Sequence, residues 1–223
     1  MSTLLTINVT NNESAAQQFY FFQQPAIYSG GQQVWSNSLY SATLAPYDES
    51  GAILTFLIDM QFYAGIQQAY SYPQVGQTSG YSSASRAIDL APKTPDPTVN
   101  DATIATVNPL GLSKPSNNPQ VQPGAFRITT PIYSPPAIYN VGSAVSVNGG
   151  IVLSNFIVAS PNNNTDCQPI LKYYVQTGTY TPGTVMNFTA SSAEAAICDF
   201  TGGITTINVS LNADGSWTST PQS

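Results

Sequence analysis

Groups able to do acid–base chemistry are scarce in this 223-residue chain. Eleven residues are Asp or Glu, five are Lys or Arg, and none is His. Asp48 and Glu49 are adjacent, just before Ser50-Gly51, and Asp59 sits inside an apolar run. A pair of carboxylates about 5 to 9 Å apart can hydrolyse a glycosidic bond. No spacing rule selects such a pair here, and acidic residues in turns mostly cap the backbone. Asp59 is the most informative of the three, because a carboxylate among apolar neighbours needs a partner. Arg86, Arg127 and Lys172 are the candidates for that ion pair. Without His there is no His-centred triad, no His metal site and no imidazole pH switch. The chain therefore reads as non-catalytic, with a carboxylate-based glycoside hydrolase as the remote alternative.

The two cysteines, Cys167 and Cys198, are the next reactive groups. A bond between them would close a loop of about 30 residues and stabilise the fold by roughly 3 to 4 kcal/mol. Each adjoins an aspartate, at Asp166 and Asp199, but a metal site or a thiol nucleophile without His is improbable chemistry. A Cys167–Cys198 disulfide is thus the expected pairing. The reducing interior of a cell would favour two buried thiols instead. Oxygen-rich clusters at Asn162 to Asp166 and Asn212 to Gly215 match no calcium loop and read as ordinary turns. No glycine pair is followed by the lysine or helix start of a phosphate loop. No metal and no cofactor is expected.

Aromatic residues carry the remaining signal. Trp35, Tyr63, Tyr70, Tyr72 and Tyr81 fall among Gln, Ser and Asn in the N-terminal half of the chain. Rings with polar edges, set among neutral amides, suit stacking on a sugar or a protein interface of low charge. The competing reading is that these rings simply cover a β core.

Charge narrows the partners. Charged residues are 7% of the chain and the net charge is −6, while 81 residues are Ser, Thr, Asn or Gln. Five scattered cations cannot neutralise a phosphate backbone, which excludes nucleic acid as a partner. No run approaches the 18 apolar residues of a spanning helix. The N-terminus lacks a basic and apolar leader, which points to a cytoplasmic protein or one released by a non-classical route.

The elements that must position these residues are strands. Ile, Val and Thr outnumber Leu, Met, Glu, Lys and Arg by more than two to one. Alternation predicts strands at Leu4–Val9, Gln32–Tyr40 and Ala52–Tyr63, the last with Leu54, Phe56, Ile58, Met60 and Phe62 on one apolar face. Four consecutive aromatics, Phe19 to Phe22, predict a strand covered on both faces. Asn148-Gly149 predicts a hairpin. Further strands are expected at 125–133, 144–147, 151–159, 170–177, 184–190, 204–211 and around Trp217. Gly65–Arg86 reads as long loops with at most one short edge strand, and Ser191–Cys198 as the one short helix. Thr6-Ile7-Asn8-Val9-Thr10 is echoed by Thr206-Ile207-Asn208-Val209-Ser210, which suggests similar edge strands or direct partners.

These observations predict an all-β protein, an antiparallel β-sandwich with the jelly roll as one form of it, with long Pro-rich connections and at most one short helix. It is read as one domain over 1–223, with two β units at 1–90 and 125–223 joined by the seven-proline segment 91–124 as the alternative. The expected function is a structural protein that self-associates through neutral, aromatic- and amide-rich surfaces, since low charge removes the usual guards of β edges. A lectin-like binder of neutral glycan is the alternative.

Overall fold

The computed structural model describes Thr3–Gln222. It is mostly β, arranged as three sheets. The largest runs β16 (Val185–Met186), β4 (Trp35–Asn37), β13 (Gly150–Val158), β12 (Ile138–Val147), β6 (Leu54–Asp59), β1 (Leu4–Asn11), β18 (Thr206–Leu211) and β19 (Trp217–Gln222). Two further strands, β7 (Tyr63–Ala69) and β8 (Ser82–Ala87), extend it from β12. A four-stranded sheet orders β17 (Ala196–Asp199), β15 (Lys172–Thr177), β2 (Gln17–Gln23) and β5 (Tyr40–Leu44). A five-stranded sheet orders β10 (Leu110–Leu112), β9 (Ala102–Val107), β11 (Phe126–Thr130), β14 (Asn163–Gln168) and β3 (Ile27–Tyr28). The Pro-rich segment thus supplies two strands of its own.

Side-chain alternation places the cores. Leu5, Ile7 and Val9 of β1 are buried, while Thr6, Asn8 and Thr10 point the other way. The buried set joins Phe56, Ile58, Ile207 and Val209 against Phe19, Phe21, Tyr173 and Val175 of the four-stranded sheet. A second core packs Ile66, Val141 and Ile157 against Phe126, Ile128 and Cys167 of the five-stranded sheet. β12 serves both: Tyr139 and Val141 enter the second core, and Val145 and Val147 the first. The four aromatics of β2 are buried on both faces, as their run predicts. Phe21 stacks on Phe56 and Tyr173 on one side, and Phe22 on Tyr174 on the other.

The terminal echo has a direct structural use. β1 and β18 pair in parallel, with Thr6, Ile7, Asn8 and Val9 opposite Thr206, Ile207, Asn208 and Val209. Matching sequences give matching faces, so both cores and both outer rows align. Asn8 Nδ2 donates to Asn208 Oδ1 at 3.0 Å, and Thr55 Oγ1 donates to Asn8 Oδ1 at 3.0 Å. β9 and β11 also pair in parallel, while the other ladders are antiparallel.

Several expected boundaries move. Ala52–Tyr63 is two strands, because Asp59 Oδ1 accepts the Gln61 amide at 3.0 Å and turns the chain. Gly65–Arg86, expected as loops with at most one short edge strand, contains most of both β7 and β8. Among the described residues two short helices form rather than one. The first, α1 (Tyr47–Ser50), is a single turn closed by Gly51 at φ 61°. The second, α2 (Phe188–Ala193), begins earlier than Ser191, since Asn187 Oδ1 caps the Ala190 amide and Phe188 packs edge-on to Phe22 and Tyr174. The remainder of that expected helix is β17. Asn163–Asp166, expected as a turn, is strand; the turn itself is Asn162, at φ 51°.

The candidate tyrosine platform

The loop between β7 and β8 carries the most concentrated exposed aromatic surface. Tyr70 is 84% exposed, Tyr72 66% and Tyr81 48%. The rings of Tyr70 and Tyr81 stack with centroids 3.9 Å apart and an interplanar angle of 19°. Behind them Tyr133 meets Tyr139 edge-on at 4.9 Å. The phenol of Tyr81 is pushed up by desolvation, then by Tyr70 and Tyr139. That of Tyr133 is pushed up by desolvation, then by Tyr139 and Tyr72. Two ring pairs, Tyr70–Tyr81 and Tyr133–Tyr139, therefore lie in one part of the surface, with Tyr72 on the loop that carries the first.

The loop is held by buried polar groups. Ser79 is buried at its centre. Asn37 Nδ2 donates to Ser79 Oγ, and Asn140 Nδ2 donates to the Ser79 carbonyl, each at 2.9 Å. The Ser79 amide donates to the Gly183 carbonyl, and the Gly76 amide to that of Val185. Gly80 permits the close approach: a Cβ there would lie 2.5 Å from Gln67 Cγ and from the Gln68 carbonyl oxygen. Tyr81 then returns to the sheet, its backbone amide donating to the Gln68 carbonyl. Asn37 and Asn140 are themselves fully buried, on β4 and β12, so the anchor belongs to the sheet rather than to the loop.

No family model, curated protein or solved structure matches this chain.

The expected aromatic set divides. Tyr70 and Tyr81 come together, and Tyr72 stands exposed two residues along the same loop. Trp35 lies on β4, half-buried over Leu153, Phe156 and Val185. Tyr63 opens β7, at the opposite end of the strand from Tyr70, next to Asp59. Sequence reasoning missed Tyr133 and Tyr139, because only the pairing of β7 with β12 brings residue 139 beside residue 68. The only sequence hint is the tyrosine of the Pro131-Ile132-Tyr133-Ser134-Pro135 turn.

The acidic candidates do not converge. Asp48 and Glu49 lie exposed on α1, and Asp59 is engaged in its turn. The cations expected near Asp59 go elsewhere. Arg127 forms a two-pronged pair with Asp166, at 2.6 and 2.8 Å. Lys172 pairs with Asp199 at 2.9 Å, and Arg86 donates to the Leu112 carbonyl. Among the described residues no group of three or more acids and thiols is arranged to hold a metal ion, and no helix is long and apolar enough to cross a membrane. A cavity of about 310 Å³ in the Pro-rich segment is walled by Pro92, Pro95, Pro97 and Pro119, with the buried Asp101 among its lining. The Asp101 carboxylate is already used, accepting the Asn118 amide at 2.8 Å.

The expected disulfide is not formed. Cys167 and Cys198 are free and buried. Their strands belong to different sheets, and their side chains to different cores. Burial raises both thiols from 9.0 to about 12. The native protein should therefore resist a thiol-specific reagent at pH 8, and denaturant should expose two reactive thiols. Rapid labelling of either one in the native state would contradict this burial.

Proposed function

We propose that this chain is a non-catalytic structural protein that associates with copies of itself. The observation that supports the reading is β19. It closes one edge of the large sheet, pairs among the described residues with β18 alone, and is exposed at five of its six positions. Its sequence, Trp-Thr-Ser-Thr-Pro-Gln, carries no charge. Exposed strand edges offer unpaired amides and carbonyls to a neighbouring strand, and soluble proteins usually guard them with lysine or a bulge. Here Pro221 is the one guard.

The adjoining sheet face fits the same role. Across β1, β18 and β19 the register aligns Thr6, Thr206 and Gln222, then Asn8, Asn208 and Thr220, then Thr10, Ser210 and Thr218. These three rows of neutral polar groups let a second sheet edge approach without like-charge repulsion.

Light scattering or sedimentation of the purified protein tests the reading. The expected result is a concentration-dependent oligomer. Ser219→Lys together with Thr220→Lys, one on each face of the edge, should weaken association at least tenfold while leaving the fold within about 0.5 kcal/mol. A strict monomer at high concentration would remove the proposal.

A further inference from the structure

Beyond self-association, we propose that Tyr70, Tyr72 and Tyr81 form a platform for a neutral oligosaccharide, of the β-linked kind whose pyranose rings present a flat face of C–H groups. Three observations carry this. First, the Tyr70–Tyr81 stack leaves Tyr70 84% exposed, so a ring face is open to solvent. An open ring face backed by a second ring is a rigid surface for the apolar side of a sugar, and the phenol hydroxyls can bond its rim.

Second, the surroundings are neutral. From Gln61 to Ser85 the chain has no charged residue, and the platform is flanked by Gln, Ser and Gly. A charged ligand finds no counter-ion there, whereas amides and hydroxyls match the hydroxyls of a neutral sugar. Third, the platform is preorganised. Ser79, the Gly80 contact and the Tyr81–Gln68 hydrogen bond hold the loop to three strands of the sheet. A loop already fixed loses less freedom when a ligand arrives. This is why the exposed tyrosines form a built surface rather than a mobile tip.

The test is a titration of the whole protein with cellohexaose, laminarihexaose and chitohexaose, followed by calorimetry and by tyrosine fluorescence. The expected result is saturable binding of at least one of them. Tyr70→Ala and Tyr72→Ala should each weaken it tenfold or more, and Tyr63→Ala should leave it unchanged. Both test positions are largely exposed, so circular dichroism and the thermal midpoint should match the parent. Absence of binding at millimolar sugar would overturn the proposal. So would binding insensitive to Tyr70→Ala and Tyr72→Ala, or displacement from these tyrosines by a proline-rich peptide but by none of the sugars. The titration uses protein dilute enough to be monomeric, so its failure leaves the association through β19 standing, and the reverse holds as well.

Discussion

Above about pH 9 the folded protein is expected to lose roughly 3 kcal/mol of stability for each further pH unit. The cause is the two buried thiols. Cys167 and Cys198 are raised from 9.0 to about 12 because burial disfavours the thiolate. In the unfolded chain each releases its proton near the ordinary value. The folded form therefore keeps protons that the unfolded form gives up. That share of stability is complete below pH 9 and is lost as pH rises toward 12. One such group is worth about 1.4 kcal/mol per pH unit, and two act together. The buried phenols of Tyr28 and Tyr173, raised in the same direction by burial, add to the slope from about pH 10. A domain of ordinary stability, about 5 to 15 kcal/mol, should unfold before pH 12.

The acid side should behave differently. With no His, nothing of that type titrates between pH 5 and 8. Asp199 is lowered to about 2, first by the Thr201 hydroxyl and amide and then by Lys172. Its contribution is present above about pH 4 and lost as pH falls through about 2. The pair is 31% and 41% exposed, so solvent screening keeps that contribution small. Urea midpoints measured from pH 4 to 11 should form a plateau followed by a steep alkaline fall. Cys198→Ala should roughly halve the initial slope. A midpoint unchanged between pH 9 and 11 would show that the thiols are not buried as described.

The fold class was legible because it rests on local pattern. Alternation in Leu4–Val9, the Asn148-Gly149 turn and the aromatic run of β2 each report on their own few residues, and each is found in place. Errors arise where a single side chain redirects the backbone. Asp59 turning the chain at Gln61, and Asn187 starting α2 ahead of Ser191, look like ordinary polar residues until their hydrogen-bond partners are known. The echo at the two ends was visible as similarity, but not as parallel pairing, since nothing local shows that residues 200 apart are neighbours. The candidate site was half legible for the same reason. Tyr70, Tyr72 and Tyr81 are close in the chain. Tyr133 and Tyr139 join them only through β12, and the anchor at Ser79 draws on Asn37 and Asn140 from two other strands. The disulfide went wrong because spacing alone set the loop length, whereas the sheet to which each strand belongs sets the distance.

Gly142→Ala is expected to be the most damaging single methyl in the molecule, at about 4 kcal/mol or more. Gly142 lies on β12 opposite Phe156 of β13, where the register slips at Ser143 and leaves Ser154 as the extra residue. A Cβ at Gly142 would lie 2.3 Å from the Asn155 carbonyl oxygen, 2.3 Å from the Tyr28 hydroxyl and 2.8 Å from Phe156 Cα. Two of these atoms are backbone within the central ladder, so they cannot turn away. The third is fixed as well. The Tyr28 hydroxyl donates to the Asn155 carbonyl at 2.7 Å and accepts the Ser143 amide at 3.2 Å. Asn155 Oδ1 in turn accepts the Ala26 amide, and Asn155 Nδ2 donates to Ser154 Oγ. Overpacking of this kind costs about 1 to 3 kcal/mol, and stranding buried polar partners about 1 to 3 kcal/mol more. Tyr28→Phe removes the hydroxyl but adds no volume, so it should cost only the second part. In the double variant one of the clashes is gone, and the combined loss should fall short of the sum of the two. Urea denaturation of all four proteins gives the cycle directly. A Gly142→Ala protein within 1 kcal/mol of the parent would mean that β12 and β13 do not approach this closely at the bulge, and that the polar network around Asn155 is looser than its hydrogen bonds imply.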